Sequence, residues 1–244
     1  MADTTMKVLL VVNAPRSGPG RLVEWLREEG LEVTELPGRS APATPAGYAA
    51  VVLLGGAFLP DADAYAPWLP AQRDLARGCV AHGVPLLGIC LGAQVLALAT
   101  GGEVKGAHGR PERGPCTVVR RPEAAHDPLL AGLPDVFPVI QNHRDQITAL
   151  PPDAVHLAQS ADCPVQAFRM GEHAWGVQFH PEVGAERLAD WDEAALADAG
   201  LDVAALRTAA TAAEPEARRA ARQLVANFAT AVRARQPVHG GRVD

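Results

Sequence analysis

Pro85-Leu86-Leu87-Gly88-Ile89-Cys90-Leu91-Gly92-Ala93-Gln94-Val95-Leu96 is the stretch from which the rest of the chain can be read. Its first half is an apolar run of strand length, and its second half continues straight into a helical pattern. One polar, reactive residue, Cys90, stands at the junction. Gly88 and Gly92 leave space around that turn, as the nucleophile elbow of hydrolytic α/β enzymes requires. A thiol at a helix start faces unpaired backbone N–H groups, which favour its thiolate form. An ordinary buried thiol fits the same spacing, because free cysteine is among the residues most often found in cores.

Working towards the N-terminus, residues 7–12, 31–36 and 49–54 read as strands, and 85–89 as a fourth. Helical patterns lie between them, one closing at Gly30 and one running over 68–81 and stopping near Gly83. Fully apolar strands separated by helices imply a parallel sheet buried on both faces, linked by right-handed crossovers. Towards the C-terminus the pattern changes. Residues 118–120, 136–141, 155–159, 165–169 and 174–179 are short strand candidates joined by brief turns, so antiparallel pairs are expected, in a mixed sheet or a small extra one. Beyond Glu182 the chain is Ala-rich and helical, with Ala217, Ala221, Leu224, Val225 and Phe228 forming an apolar stripe over 215–231. The expected fold is α/β, a three-layer sandwich around a mostly parallel, partly mixed sheet. With no repeat and no clear linker, residues 1–244 read as one domain, with a core over about 6–182, a helical extension over 183–232 and a flexible tail over 233–244.

Composition sets the outer limits. Of 244 residues, 48% are apolar and 20% charged, the balance of a soluble domain rather than of a disordered, collagen-like or disulfide-dense chain. Aromatics are only 5%, so Ala, Val and Leu must build most of the core. A formal net charge of -6 argues against a nucleic-acid or anionic-membrane partner, since both favour a concentrated basic face. No apolar run approaches the roughly 20 residues of a membrane helix, and the first residues lack the flanks of a signal peptide. Cys79, Cys90, Cys116 and Cys163 contain no C-x-x-C pair or zinc-like spacing, so free thiols in a reducing cytoplasm are expected, with no metal and no cofactor.

A thiolate needs a base, and the base an orienting partner. Val177-Gln178-Phe179-His180-Pro181-Glu182 supplies both at the end of another apolar strand. Ligands of open α/β sheets bind beyond the carboxyl ends of parallel strands, so Cys90 and His180 can meet although ninety residues separate them. Taken alone, the same block reads as an exposed histidine before a helix start. A third strand ends in Gly55-Gly56, where glycine lets a backbone N–H point into a pocket with no side chain in the way. A donor there, with the Leu91 N–H, suits developing charge on a carbonyl oxygen; a plain turn is the simpler alternative.

Together, Gly88-Ile89-Cys90-Leu91-Gly92-Ala93-Gln94, Gln178-Phe179-His180-Pro181-Glu182 and Gly55-Gly56 resemble the class I (triad-type) glutamine amidotransferase domains, closest in style to the stand-alone GMP-synthase-like members. The resemblance runs from about Lys7 to Glu182. It implies a flavodoxin-like core, with Cys90 as nucleophile, His180 as base and Glu182 as its orienting carboxylate. It also implies an oxyanion hole at Gly56 and Leu91, and substrate contacts at Gly55 and Gln94. Gln141-Asn142-His143-Arg144-Asp145 resembles a histidine-containing turn near the pocket, where His143 shapes contacts or is merely structural.

The activity so implied is hydrolysis of the L-glutamine side-chain amide to glutamate and ammonia, with the acceptor reaction on a separate synthetase or ammonia-acceptor subunit, or with the nitrogen simply released. The rivals are a γ-glutamyl peptidase using the same residues and a non-catalytic regulatory subunit. Two departures stand out. Ala57-Phe58 follows the paired glycines where the family often has Pro or Ser, and no phosphate-loop or pyrophosphatase signature appears, so synthesis of GMP by this chain alone is not expected. The remaining cysteines, His108, His126, His156 and His173 read as structural or scattered, and Arg110, Arg113, Arg120 and Arg121 as a solvated basic cluster.

Overall fold

The first strand shows why the chain must form layers. In the computed structural model, which describes residues 6–14 and 18–235, Val8 and Leu10 face one side of the sheet and Leu9 and Val11 the other, all fully buried. Such a strand needs helices on both faces. In chain order the strands are β1 (Lys7–Val12), β2 (Glu32–Pro37), β3 (Ala50–Leu53), β4 (Leu86–Ile89), β5 (Glu103–Lys105), β6 (Glu112–Arg120), β7 (Val136–His143), β8 (Gln146–Ala149), β9 (Val155–Gln159), β10 (Ala167–Met170) and β11 (Ala174–Val177). The helices are α1 (Leu22–Glu28), α2 (Leu69–His82), α3 (Leu91–Ala99), α4 (Glu193–Asp198) and α5 (Val203–Ala234).

Nine strands form one sheet in the order β2-β1-β3-β4-β11-β10-β9-β6-β7. The half from β2 to β11 is parallel, and from β11 to β7 every pairing is antiparallel. On one face, α1 and α5 bury Trp25, Leu26, Leu224 and Phe228; on the other, α2 and α3 bury Leu69, Leu75, Leu91 and Leu96. The expected three-layer α/β sandwich with a mixed sheet is the fold observed. No helix among the described residues is long and apolar enough to cross a membrane.

The departures from the sequence reading have local causes. The short strands β5 and β8 form a separate two-stranded antiparallel sheet and carry too few apolar residues to announce themselves. β6 begins at Glu112 rather than at residue 118, because Gly114 and Pro115 hide the pattern. Pro115 is tolerated there since β9 pairs only with Val119 and Arg120, leaving that edge of the strand open. α5 starts at Val203 and runs through Pro215, a residue that usually marks a helix start. The helix also continues to Ala234, two residues into the segment read as tail; residues 236–244 lie outside the described ones.

Close packing of α3 on the sheet depends on two glycines. A Cβ on Gly92 would lie 2.0 Å from the Leu53 carbonyl oxygen, and one on Gly88 would lie 2.5 Å from the Gly92 oxygen. Backbone atoms cannot give way as a side-chain tip can. Gly92→Ala is therefore expected to cost about 3 kcal/mol of folding stability, at the upper end for overpacking. Urea unfolding measures this, and an unchanged midpoint would contradict the packing argument.

Candidate active site

β3, β4 and β11 lie side by side and parallel, so the segments leaving their carboxyl ends emerge at one rim. Cys90 follows β4 directly. Its backbone (φ 52, ψ −107) is one that side-chain-bearing residues seldom adopt, and this sharp turn starts α3. The Cys90 N–H donates to the Val177 carbonyl at 2.8 Å, which ties the elbow to the end of β11. Three residues on, the His180 N–H donates to the Ile140 carbonyl at 3.0 Å. The imidazole and the thiol then share one space. A Cβ placed on Gly55 would sit 3.1 Å from His180 Cε1 and 3.5 Å from Cys90 Cβ, so a side chain there would crowd the imidazole.

Nδ1 of His180 lies 2.7 Å from Oε1 of Glu182, whose side chain is 5% exposed. That contact fixes the ring orientation and leaves Nε2 as the nitrogen available to the sulfur. Burial by itself pulls the His180 proton affinity down. The Glu182 charge and the hydrogen bond and charge of Cys90 more than reverse it, holding the imidazole well above its ordinary value of 6.5. A folded histidine that binds its proton more tightly than the unfolded chain adds stability that is complete below 6.5 and lost as pH rises through the raised value. Thermal melts are thus expected to fall more steeply with rising pH for the wild type than for His180→Gln. Parallel curves would remove the basis for this coupling.

Burial pushes Cys79, Cys116 and Cys163 up to about 12, and all four cysteines are free.

Cys90 and His180 open into a cavity of about 330 Å³, bounded also by Gly55, Gly56, Gln94 and Glu182. Such a volume suits a small molecule. Its far wall comes from Arg113, Asn142, Arg144 and Asp145, residues on or beside the antiparallel half of the sheet. Leu91 lies against the glycine pair, since a Cβ on Gly56 would approach its Cδ2 to 2.6 Å. As the first residue of α3, Leu91 has a backbone N–H with no intrahelical acceptor. Gln94 donates its amide protons to the Asp145 carbonyl at 3.1 Å and Gln178 Oε1 at 3.2 Å. With both donors engaged, only its carbonyl oxygen remains for a ligand.

The structure thus brings Cys90, His180, Glu182, Gly55, Gly56, Leu91 and Gln94 into one place. It also adds Gln178, whose Nε2 donates to Cys90 Sγ at 3.5 Å. Gln178 stands in the quoted His-Pro-Glu block, yet its spacing alone carries no hint of this contact.

His143 borders the cavity, but its Nε2 is held 2.9 Å from Oε2 of the buried Glu112. Glu112 also accepts from Ser160 and Gln166, both at 2.6 Å. Glu112, His143 and Cys163 bring one potential ligand atom each within 4.8 Å of one another, with the imidazole bonded to the carboxylate, which Ser160 and Gln166 also engage. The basic cluster splits: Arg113 borders the cavity, while Arg120 binds the Leu130 and Leu133 carbonyls and Arg121 pairs with Gln159 and Glu123.

A thiol on a strand–helix elbow, beside a histidine–carboxylate pair from the adjacent parallel strand, defines the class of cysteine-dependent α/β enzymes. The family model for "Glutamine amidotransferase class-I" matches residues 10–190, and the chain belongs to that family. It is 34% identical over 180 residues to a subunit of the glutamine-hydrolysing GMP synthase of Methanoculleus marisnigri, covering 73% of this chain and 90% of the relative. It is 43% identical over 133 residues to the glutamine-hydrolysing GMP synthase of Thermomicrobium roseum, covering 54% of this chain but only 23% of that much longer relative. Among solved structures, a glutamine amidotransferase of Thermotoga maritima superposes with a TM-score of 0.80 at 27% identity, over 92% of this chain and 98% of the other. A glutamine amido transferase of Methylobacillus flagellatus also gives 0.80, at 25% identity over 96% and 97%.

Proposed function

We propose that this protein hydrolyses the side-chain amide of L-glutamine to glutamate and ammonia through a Cys90 thioester. The observation that carries this reading is the His180–Glu182 contact of 2.7 Å in the cavity that Cys90 borders. In the attack the sulfur reacts as the thiolate, and His180, which binds its proton well above the usual imidazole range, is the imidazolium partner. The sulfur attacks the amide carbon, and the electron pair of the C=O bond moves to oxygen. The N–H groups of Gly56 and Leu91 serve this oxygen better once it is charged than in the ground state. The tetrahedral intermediate collapses as imidazolium donates its proton to the leaving nitrogen, releasing ammonia. Neutral His180 then takes a proton from water as the water attacks the thioester, and glutamate leaves with Cys90 restored.

At the other end of the substrate, the free carbonyl oxygen of Gln94 suits the α-ammonium group. Arg113 and Arg144 supply positive charge for the α-carboxylate. Gly55 keeps the space in which thiol and imidazole meet. Nothing in this sequence of steps calls on a metal or cofactor.

The Methanoculleus relative is named as one subunit of its enzyme, which supports a separate synthetase that consumes the ammonia. Four free cysteines suit the reducing cytoplasm. Side-by-side turnover of L-glutamine and a panel of γ-glutamyl peptides tests the assignment. Ammonia release from glutamine is the expected result. Peptide cleavage favoured at least about a hundredfold in kcat/KM would replace glutaminase by γ-glutamyl peptidase, and turnover of neither would leave a non-catalytic subunit.

A further inference from the structure

The loop that carries His180 and Glu182 is held from outside the sheet. Arg21, with a side chain 8% exposed, takes three consecutive carbonyls of this loop. Its Nε donates to Pro181 O at 3.3 Å, its backbone N–H to Glu182 O at 3.2 Å, and its Nη2 to Val183 O at 2.8 Å. The remaining arm of the guanidinium reaches Glu214 on α5, with Nη1 at 2.7 Å from Oε1. The second oxygen of Glu214 accepts the Ala185 N–H at 2.9 Å, so this carboxylate grips the same loop two residues further on. Gly20 makes the approach possible: it has φ +53, and a Cβ there would lie 2.0 Å from the Glu182 carbonyl oxygen.

We infer that Arg21 and Glu214 are positioning residues, and that α5 acts through them as a working part of the active site. Glu214 lies beyond the 10–190 segment matched by the family model. The loop 181–185 has no regular secondary structure up to Gly184, so backbone hydrogen bonds from neighbours must set its course. A planar guanidinium spanning two carbonyls fixes direction as well as distance, which a lysine cannot do. Its charge is balanced by Glu214 rather than by Glu182, leaving the Glu182 carboxylate for the imidazole. The separations of 160 and 193 residues hide this arrangement from any local reading of the sequence.

The inference rests on the catalytic reading above, so its test needs one arm that does not depend on glutamine. Glu214→Ala is compared with the wild type and with Arg233→Ala, which removes a different tie of α5, to the Glu29 carbonyl far from the loop. Two quantities are read below the melting range of all three proteins: kcat and KM for glutamine, and the rate at which iodoacetamide alkylates Cys90, located by peptide mass.

Glu214→Ala is expected to lower kcat by about 10- to 100-fold, the scale of a slight misplacement of reacting groups, with KM within about threefold. Cys90 alkylation is expected to slow in parallel, while Arg233→Ala loses Tm with both readouts near wild type. Equal losses in the two variants, or none in Glu214→Ala, would overturn the inference. A wild type inert towards glutamine would sink the glutaminase reading, and the alkylation arm would still decide the clamp.

Discussion

Cys90→Ala releases no ammonia from glutamine above background, a loss of at least about 10⁴-fold in kcat, as expected when the nucleophile of a coupled triad is removed. Residual binding to the cavity should persist, because the substitution leaves Gln94, Arg113 and Asn142 in place around it. A chemical experiment sharpens the expectation. A glutamine-like electrophile should add one equivalent to the wild type, on Cys90 alone, and none to the variant. The state of the other thiols is one reason: burial pushes Cys79, Cys116 and Cys163 up to about 12, where almost no thiolate exists at neutral pH. Cys90, by comparison, borders the cavity and shares it with a histidine that holds its proton tightly. Comparable labelling of all four cysteines, or retained turnover in Cys90→Ala, would sink the covalent mechanism.

The legible part of this fold is the part built from continuous apolar segments. β1, β3, β4 and β11 are buried on both faces, so their sequences carry no polar interruptions and stand out within a residue or two of their observed ends. Their parallel register also explains why residues read separately, at 55–56, 90 and 180–182, come together: each follows a strand that ends at the same rim. β6 is harder to see because Gly114 and Pro115 are allowed by an open edge, a property of the neighbouring strand rather than of β6 itself. The far wall of the cavity is legible only in part. The turn that holds Asn142, Arg144 and Asp145 stands out through its resemblance to a pocket-side turn, whereas Arg113, read within a solvated basic cluster, reaches the cavity through the pairing of β6 with β7. Gln178 and Glu214 mark the limit. Each makes its decisive hydrogen bond to a residue far along the chain, and no spacing rule anticipates a partner chosen by tertiary packing.

Glu182 carries the second large prediction. Its carboxylate stands 2.7 Å from Nδ1 of His180, and its charge is the leading influence that raises the proton affinity of that ring. Glu182→Gln keeps the shape and removes the charge. It also places an amide that can offer N–H to Nδ1, favouring the tautomer in which Nε2 carries the proton and cannot take one from water. In the comparable aspartate-to-asparagine change of a serine protease triad, kcat drops by about 10⁴, and a loss approaching that size is expected here. The alkaline limb of kcat/KM, which reports loss of the imidazolium, should move to lower pH at the same time, because burial then acts on the ring with less to oppose it. The two effects separate the possible roles of this residue. A Glu182 that merely filled space would leave both kcat and the limb unmoved in Glu182→Gln. A Glu182 that acted only through charge would shift the limb and recover most of its rate at lower pH. A variant whose kcat stays within tenfold of wild type at every pH would leave His180 without an orienting partner and the triad assignment without its third member.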